Sequence, residues 1–128
     1  ERNHAMMIVQ YLMDRGVDPV IPGIEAPQNG FADIVEPVQL ALDQEKRVTQ
    51  QINALAGLAR EHGDYAGEQF MQWFIKEQVE EVSSMNDLLT VVQRSRDTPM
   101  FVEDWLAREK SGGESEDPTA PAPAGGAV

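Results

Sequence analysis

The sequence contains no cysteine among its 128 residues. This absence excludes disulfide scaffolds, thiolate zinc sites, iron–sulfur clusters and cysteine nucleophiles. Basic residues are also scarce, because 10 Lys and Arg stand against 22 Asp and Glu, for a formal net charge of −12. A chain this acidic repels phosphate backbones and anionic lipid surfaces, so the charge argues against nucleic-acid and membrane partners and favours cations.

Long apolar runs are missing as well, since the longest extend over only a few residues. No stretch approaches the roughly 20 apolar residues that a transmembrane helix needs, and residues Glu1 to His4 lack the character of a signal peptide. A chain of 128 residues has room for one small domain. We therefore expect a soluble, cytoplasmic protein with a single folded domain.

The composition changes at Ser111, where a segment rich in Gly, Pro, Ala and Ser begins and continues to Val128. Such a segment has too little apolar surface to order itself. We therefore predict a helical domain over residues 1–110 and a disordered tail over residues 111–128. Only three acids lie in the tail, so most of the acidic charge belongs to the folded part.

Apolar residues in the first 110 positions recur at helical rather than strand spacing, and glycine and proline fall between the periodic stretches. The chain is therefore predicted to be all-α. Helices are expected over residues 1–15, 33–62, 64–94 and from 98 onward. Asp33 with Glu36 should cap the second helix, and Gly16 and Gly63 should end the first and the second.

Residues 17–32 contain three prolines and two glycines among scattered aliphatic residues. This composition predicts an extended connection with some buried anchors. The second and third helices would each be on the order of 40 to 45 Å long, and the first only about 22 Å. Because helices this unequal do not close a bundle, we expect the sequence to begin partway along a helix and to lack an N-terminal part.

Polar residues interrupt the apolar stripes of the helices. The stripe of the second helix comprises Val38, Leu42, Glu45, Val48, Ile52, Leu55 and Ala59. The stripe of the third comprises Phe70, Phe74, Glu77 or Gln78, Glu81, Met85, Leu88 and Val92. Glu45 thus occupies a core position, and carboxylates replace apolar residues near the middle of the third helix. On the first helix, Glu1 and His4 continue the line of Ile8 and Tyr11.

A bound metal ion is the best explanation of these interruptions. Ionised carboxylates inside a bundle are costly unless cations compensate them, and the few lysines and arginines near them in sequence point to other faces. The pair Glu1-x-x-His4 places a carboxylate and an imidazole one turn apart, as in di-iron and di-manganese bundle sites. Oxygen ligands with one imidazole suit iron or manganese and would permit oxidation of Fe(II).

Each of these residues also has a simpler interpretation. Glu1 with His4, and the acidic run from Glu77 to Glu81, are individually typical of a solvated helix face. Glu45 would point outward if the helical phase were miscounted. The metal-site hypothesis therefore depends on the coincidence of polar interruptions on three helices.

Three segments together resemble bacterial non-haem ferritins. They are ERNHA at residues 1–5, LDQE at residues 42–45 and, above all, GEQFMQWFIKEQVEEV at residues 67–82. The resemblance extends over residues 1 to about 110. It implies a ferritin-like four-helix bundle with a long crossover and a short C-terminal fifth helix, from which this chain lacks the first long helix and part of the second.

The resemblance also implies a function and an assembly. Ferritins of this kind store iron: a homo-oligomeric shell of 24 subunits oxidises Fe(II) with dioxygen or hydrogen peroxide at di-iron ferroxidase centres and keeps the ferric mineral inside. Matched by position, Glu1 is implied to bridge both irons, His4 to bind the first iron and Glu45 to bind the second. Without the family's first long helix, which supplies a further carboxylate, this chain alone cannot complete the site.

Four residues of the third helix are implied to share in metal binding. Gln78 and Glu81 match the family residues beside the second iron, and Glu77 with Glu80 match an accessory third site. Haem is not expected, because haem-binding bacterioferritins carry Met after the first Glu and a second Glu-x-x-His pair. Here Arg2 and Gln78-x-x-Glu81 occupy those positions.

Two alternatives stay open on the sequence. One is a non-catalytic helical assembly or cation-buffering protein, whose acidic stripe would lie on the surface. The other is a smaller ferritin-like cage of the DNA-protecting kind, although such cages lack a fifth helix and place the iron site between subunits.

Overall fold

The computed structural model describes residues 2–111 and 117–126, with side chains for all of these except residues 110 and 111. Four helices are present in this part of the chain, and it contains no strand: α1 (Arg2–Asp14), α2 (Val35–Glu61), α3 (Tyr65–Arg94) and α4 (Pro99–Ser111). The predicted all-α class is confirmed. The chain divides into two compact units, one of residues 1–27 with 117–128 and one of residues 28–116.

In the second unit, α2 and α3 form an antiparallel hairpin joined by residues 62–64. Its buried apolar residues are Leu42, Ile52 and Ala56 on α2 and Met71, Phe74 and Val92 on α3. Leu55 was predicted in this core but is 48% exposed, whereas Ala56 is only 6% exposed. After Ile52, the next residue of α2 that faces α3 is Ala56, four positions later. Leu55, three positions later, therefore points away from α3.

An aspartate side chain accepts hydrogen bonds from early amides of each long helix, although the residue directly before α2 is Ile34, which makes no side-chain capping bond. The Asp33 carboxylate accepts hydrogen bonds from the backbone N–H groups of Val35 and Glu36, at 2.9 and 3.1 Å. The Glu36 side chain in turn accepts from the backbone N–H of Ala32. At α3, the Asp64 side chain accepts from the N–H of Gly67 at 3.1 Å. These contacts satisfy amide groups that have no partner within the helix itself.

Gly63 ends α2 and makes the tight connection to α3 possible. It has φ of +67°, in the left-handed region that glycine adopts without a steric penalty. Its N–H donates to the carbonyl of Arg60, and the N–H of Asp64 donates to the carbonyl of Ala59, at 3.1 and 2.8 Å. The predicted helix stop is therefore confirmed.

The connection after α1 differs from the prediction in one respect. It lacks regular structure, as expected, but its aliphatic residues are not buried anchors: Val20, Ile21 and Ile24 are 90%, 70% and 99% exposed. The prolines of this segment favour an extended backbone. These three aliphatic side chains are consequently exposed to solvent and do not anchor the connection.

The first unit contains α1, whose buried residue is Met7, together with residues 117–126 of the predicted tail. The Asp117 side chain accepts hydrogen bonds from the backbone N–H and the hydroxyl of Thr119, at 2.8 and 2.6 Å. The N–H of Ala124 donates to the carbonyl of Met6 at 3.0 Å. Residues 112–116, 127 and 128 lie outside the described part, and the division into a domain and a tail at residue 110 stays a prediction.

In the second unit, α4 is short and contacts α3. It begins at Pro99, and the N–H of Phe101 donates to the carbonyl of Thr98 at 3.1 Å. A proline in the first position is typical of a helix start. Within residues 2–111 and 117–126, no helix combines the length and the apolar character needed to cross a bilayer.

Candidate metal centre

Glu45 and Gln78 face each other across the middle of the α2–α3 hairpin. Glu45 lies three residues after the buried Leu42, and Gln78 lies four residues after the buried Phe74. These spacings place both side chains on the apolar faces along which the helices pack. The amide nitrogen Nε2 of Gln78 donates to Oε2 of Glu45 at 3.3 Å.

Gln78 is the polar residue that the hairpin buries most deeply, since only 4% of it is exposed. A buried amide is destabilising unless its donor and acceptor atoms have hydrogen-bond partners. Both ends of this amide are satisfied: Nε2 donates to Glu45, and Oε1 accepts from the Thr49 hydroxyl at 2.7 Å. The sequence pattern left Glu77 and Gln78 as alternatives for this core position, and the structure places Gln78 there.

Thr49 is a member of the polar group that the sequence pattern did not identify. It is half-buried one helical turn after Glu45, and its hydroxyl lies 2.9 Å from the Glu45 carbonyl as well as 2.7 Å from Gln78 Oε1. The predicted stripe passed through Val48 instead. The available signal was a hydroxyl residue four positions after a core carboxylate, a spacing at which Thr also bonds its own helix backbone.

The other predicted acids of α3 lie on two faces of the helix. Glu81 is half-buried and shares a face with Gln78, because the two residues are three positions apart. Glu77 is half-buried and Glu80 is exposed. Of these three acids, only Glu80 is thus exposed to solvent.

The two residues predicted on the first helix belong to the other unit. His4 is half-buried on α1, and Glu1 lies outside the described residues. Across residues 2–111 and 117–126, no three His, Asp or Glu side chains come close enough together to hold a metal ion. The structure therefore brings together Glu45, Gln78 and Thr49, and the full set of seven ligands stays a prediction.

Basic residues take part in ion pairs at the ends of the hairpin. Arg60 pairs with Glu68 where α2 passes into α3, and its Nε lies 2.8 Å from the carboxylate. The pKa of Arg60 is raised, chiefly by its hydrogen bonds to Glu68 and also by the charge of that carboxylate. Beside Glu45 in sequence, Lys46 and Arg47 are exposed.

A second ion pair joins Arg96, after α3, to Asp33, before α2, at 2.8 Å. The pKa of Asp33 is lowered, mainly by the hydrogen bond from the N–H of Glu36. The N–H of Val35 and the positive charge of Arg96 lower this pKa further, and desolvation opposes them. Glu68 at one end of the hairpin and Asp33 at the other are thus each paired with an arginine.

The middle of the hairpin has a different donor set. The Glu45 carboxylate and the Gln78 amide offer oxygen atoms, the ligand type that hard cations and iron accept. A neutral amide brings no positive charge to offset that of a carboxylate. The pair can therefore attract a divalent cation, provided that the amide turns its oxygen toward the ion.

Comparison with known proteins identifies the family. Residues 1–95 match the family model described as a ferritin-like domain. The chain belongs to the ferritin family. It is 54% identical over 128 residues to Ferritin BfrB of Mycolicibacterium smegmatis, a match that includes all of this chain and 70% of that protein. It is 39% identical over 110 residues to a bacterial non-heme ferritin of Staphylococcus epidermidis, covering 84% of this chain and 66% of that one.

The ferritin fold is supported by solved structures as well. The chain superposes on an open pore ferritin of Archaeoglobus fulgidus with a TM-score of 0.76 and 25% identity, over 87% of this chain and 68% of that one.

Ferritin BfrB of Mycobacterium tuberculosis is 49% identical over 109 residues, which are 85% of this chain and 60% of that protein. This ferritin chain thus spans between 60% and 70% of the length of these curated relatives.

Proposed function

We propose that this ferritin stores iron and that Glu45 and Gln78 form part of the centre at which Fe(II) is oxidised. The observation that carries the proposal is the pair itself: the half-buried carboxylate of Glu45 accepts from the amide of the buried Gln78 in the middle of the α2–α3 hairpin. Family membership supports iron as the cation. Relatives that are 39% and 54% identical are also ferritins by name.

The proposed reaction is a two-electron oxidation of two Fe(II) ions. Each Fe(II) loses one electron and becomes Fe(III). Dioxygen accepts two electrons and two protons to give hydrogen peroxide, or hydrogen peroxide accepts two electrons and two protons to give water. The protein residues hold the two ions close enough for one oxidant molecule to accept an electron from each, which is a positioning and charge-balancing role.

The ligand set of this proposal is the one expected from the sequence. Glu1 would be a ligand of both ions, His4 of the first and Glu45 of the second, with Gln78 and Glu81 beside the second. Glu77 and Glu80 serve an accessory site that passes ferric product inward. Glu77 is half-buried and Glu80 is exposed, so both carboxylates can be reached by ions from solvent.

The remaining expectations concern the assembly and its surroundings. We propose a homo-oligomeric shell of 24 subunits in the cytoplasm, without haem, nucleic acid or membrane as a partner. The formal charge of −12 supports cations over anionic polymers. Arg2 and Gln78, at positions where haem-binding relatives have other residues, support a haem-free subunit.

The test is the rate of Fe(II) oxidation by the purified, assembled protein. Glu45→Ala should slow oxidation by about tenfold or more, because even indirect partners of metal ligands often contribute that much. Glu61→Ala is the matched control, since Glu61 is an exposed acid at the end of the same helix. It should leave the rate unchanged.

An Fe(II) oxidation rate in Glu45→Ala equal to that of the unmodified protein would contradict the proposal. A non-catalytic assembly or a cation buffer predicts that outcome. Anaerobic Fe(II) titration separates these functions further. The ferroxidase requires two tight sites per subunit, whereas a cation buffer requires only weak, multiple binding.

A further inference from the structure

The orientation of the Gln78 amide is not the one that a metal ligand needs. Its nitrogen faces the Glu45 carboxylate at 3.3 Å, and its oxygen faces the Thr49 hydroxyl at 2.7 Å. A carboxylate only accepts hydrogen bonds, so it selects the NH2 end of the amide. A cation bound by Glu45 would repel that NH2 end and attract the oxygen end instead.

Rotation of the amide by half a turn exchanges its two ends within nearly the same volume. The oxygen of Gln78 would then face Glu45, an arrangement that is repulsive unless a cation lies between the two oxygens. The NH2 group would face Thr49 and would need an acceptor there, because a buried N–H without a partner is destabilising. The residue at position 49 must therefore donate in one orientation and accept in the other.

A hydroxyl group has this property, since it carries one donor and two acceptor lone pairs. In the observed orientation, the single proton of Thr49 is shared between two acceptors, Gln78 Oε1 at 2.7 Å and the Glu45 carbonyl at 2.9 Å. After rotation, the proton would be given wholly to the Glu45 carbonyl, and the oxygen of Thr49 would accept from the amide. The hydroxyl then makes two hydrogen bonds in place of one.

We propose that Thr49 is a positioning residue that supports both orientations of Gln78 and so permits the amide oxygen to turn toward a cation held by Glu45. The inference rests on the proposed function, because it takes Fe(II) as the cation. It extends that function by assigning a role to a residue outside the expected ligand set. Thr49 acts on the cation through Gln78 and does not bind it.

The hydrogen-bond count predicts the direction of the effect. Without the Thr49 hydroxyl, the protein loses one hydrogen bond when no cation is bound and two hydrogen bonds when a cation is bound. The difference of about one hydrogen bond corresponds to roughly three- to tenfold weaker binding of Fe(II). Once the cation is bound, the oxidation step does not involve Thr49, so the maximal rate should be preserved.

The experiment measures anaerobic Fe(II) binding by calorimetry and the oxidation rate against Fe(II) concentration in the assembled protein. Thr49→Val should weaken binding and raise KM by about three- to tenfold with kcat unchanged. Thr49→Ser keeps the hydroxyl and should restore the original affinity. Thr90→Val is the control, because the exposed Thr90 makes the same bond to its own helix, to the Asn86 carbonyl at 3.0 Å.

A purely structural role for Thr49 predicts a different outcome, in which Thr49→Val lowers the melting temperature and leaves affinity and KM unchanged. That outcome would overturn the inference. If Thr49→Val does not assemble, Thr49→Ala removes the same hydroxyl with a smaller side chain and should give the same loss of affinity. The proposed function fails separately, if the unmodified protein does not oxidise Fe(II) or if Glu45→Ala does so normally.

A second arm tests the amide rotation itself. In Gln78→Glu, both ends of the side chain are oxygen atoms, so no rotation is needed to bind a cation. Adding Thr49→Val to this variant should change the affinity for Fe(II) by less than about twofold. A full three- to tenfold loss in the Gln78→Glu background would contradict the rotation and leave only an indirect effect of Thr49.

Discussion

Two acids of the α2–α3 hairpin, Glu68 at one end and Glu45 in the middle, have different kinds of partner. At one end, the Glu68 carboxylate is paired with Arg60. In the middle, the Glu45 carboxylate is met by the neutral amide of Gln78. A carboxylate paired with arginine is already neutralised by a fixed charge, whereas one held by an amide keeps its charge for an exchangeable cation. The comparison separates an acid that is paired with a base of the fold from the acid that we propose for cation binding.

The burial of the two regions supports the same distinction. The Arg60 side chain is 71% exposed and that of Glu68 21%, so solvent screens this pair and limits its contribution to stability. Gln78 is 4% exposed, so a charge placed beside it is screened much less. The same ion would therefore be attracted more strongly to the middle of the hairpin than to its end.

The largest effect is expected when the acid in the middle of the hairpin is given a basic partner like that of the acid at the end. Gln78→Lys would place a fixed cation beside Glu45, where it would form an ion pair and repel Fe(II). We expect affinity for Fe(II) at this site to fall by about a hundredfold. Anaerobic calorimetry of the assembled protein measures this loss.

The control for this prediction is Gln78→Leu, which has similar volume and no charge. It removes one ligand without neutralising Glu45, so its affinity should fall by only about tenfold. Equal losses in the Lys and Leu variants would mean that charge neutralisation at Glu45 does not distinguish the two regions.

A smaller effect is expected when the end of the hairpin loses its base. Arg60→Ala breaks the ion pair with Glu68 at an exposed position, so the melting temperature should fall by a few degrees at most, and less at high salt. Fe(II) affinity should not change. Thermal melting at two salt concentrations, together with the Fe(II) titration, checks both parts. If Arg60→Ala changed Fe(II) affinity as much as Gln78→Leu does, the end of the hairpin would take part in Fe(II) binding and the distinction between the two regions would be wrong.

The smallest effect concerns pH at the other end, where Asp33 accepts from the amides of Val35 and Glu36 and pairs with Arg96. The pKa of Asp33 is lower in the folded chain, chiefly because of the N–H of Glu36. Its carboxylate therefore adds stability that is fully present above the ordinary aspartate pKa of about 3.9 and is lost as the pH falls through the lower, folded value. Asp33→Asn should melt slightly earlier than the unmodified protein at neutral pH.

The difference between the Asp33→Asn variant and the unmodified protein should vanish once the pH falls below the folded pKa. Melting curves recorded from neutral pH down to well below the ordinary aspartate pKa of about 3.9 measure this difference. A gap that stayed constant over this range would show that the charge of Asp33 does not contribute, because asparagine also caps helices well.

Much of the fold was predictable because its signals are local. Asp33, Asp64 and Gly63 act on backbone groups within a few residues. The structure starts α3 directly after Asp64, starts α2 two residues after Asp33, and ends α2 two residues before Gly63. Helix phase was less certain, since steps of three and four residues are both compatible with a 3.6-residue period. Leu55 was therefore placed in the core in error, where Ala56 lies.

The candidate site was predictable in part for the same reason. Glu45 interrupts an apolar stripe and was visible as an anomaly within one helix. Thr49 was not visible, because its role depends on an amide 29 positions away in sequence, across the hairpin. Hydrogen bonds between distant side chains leave no periodic signal in the sequence.

The most direct test of the account is to locate Fe(II) itself in crystals of the assembled protein soaked under anaerobic conditions, using anomalous scattering at the iron edge. The account predicts an iron peak bonded to the Glu45 carboxylate and to the amide oxygen of Gln78, with the amide nitrogen turned toward Thr49. Iron bound only elsewhere, with the Gln78 nitrogen still donating to Glu45, would contradict it.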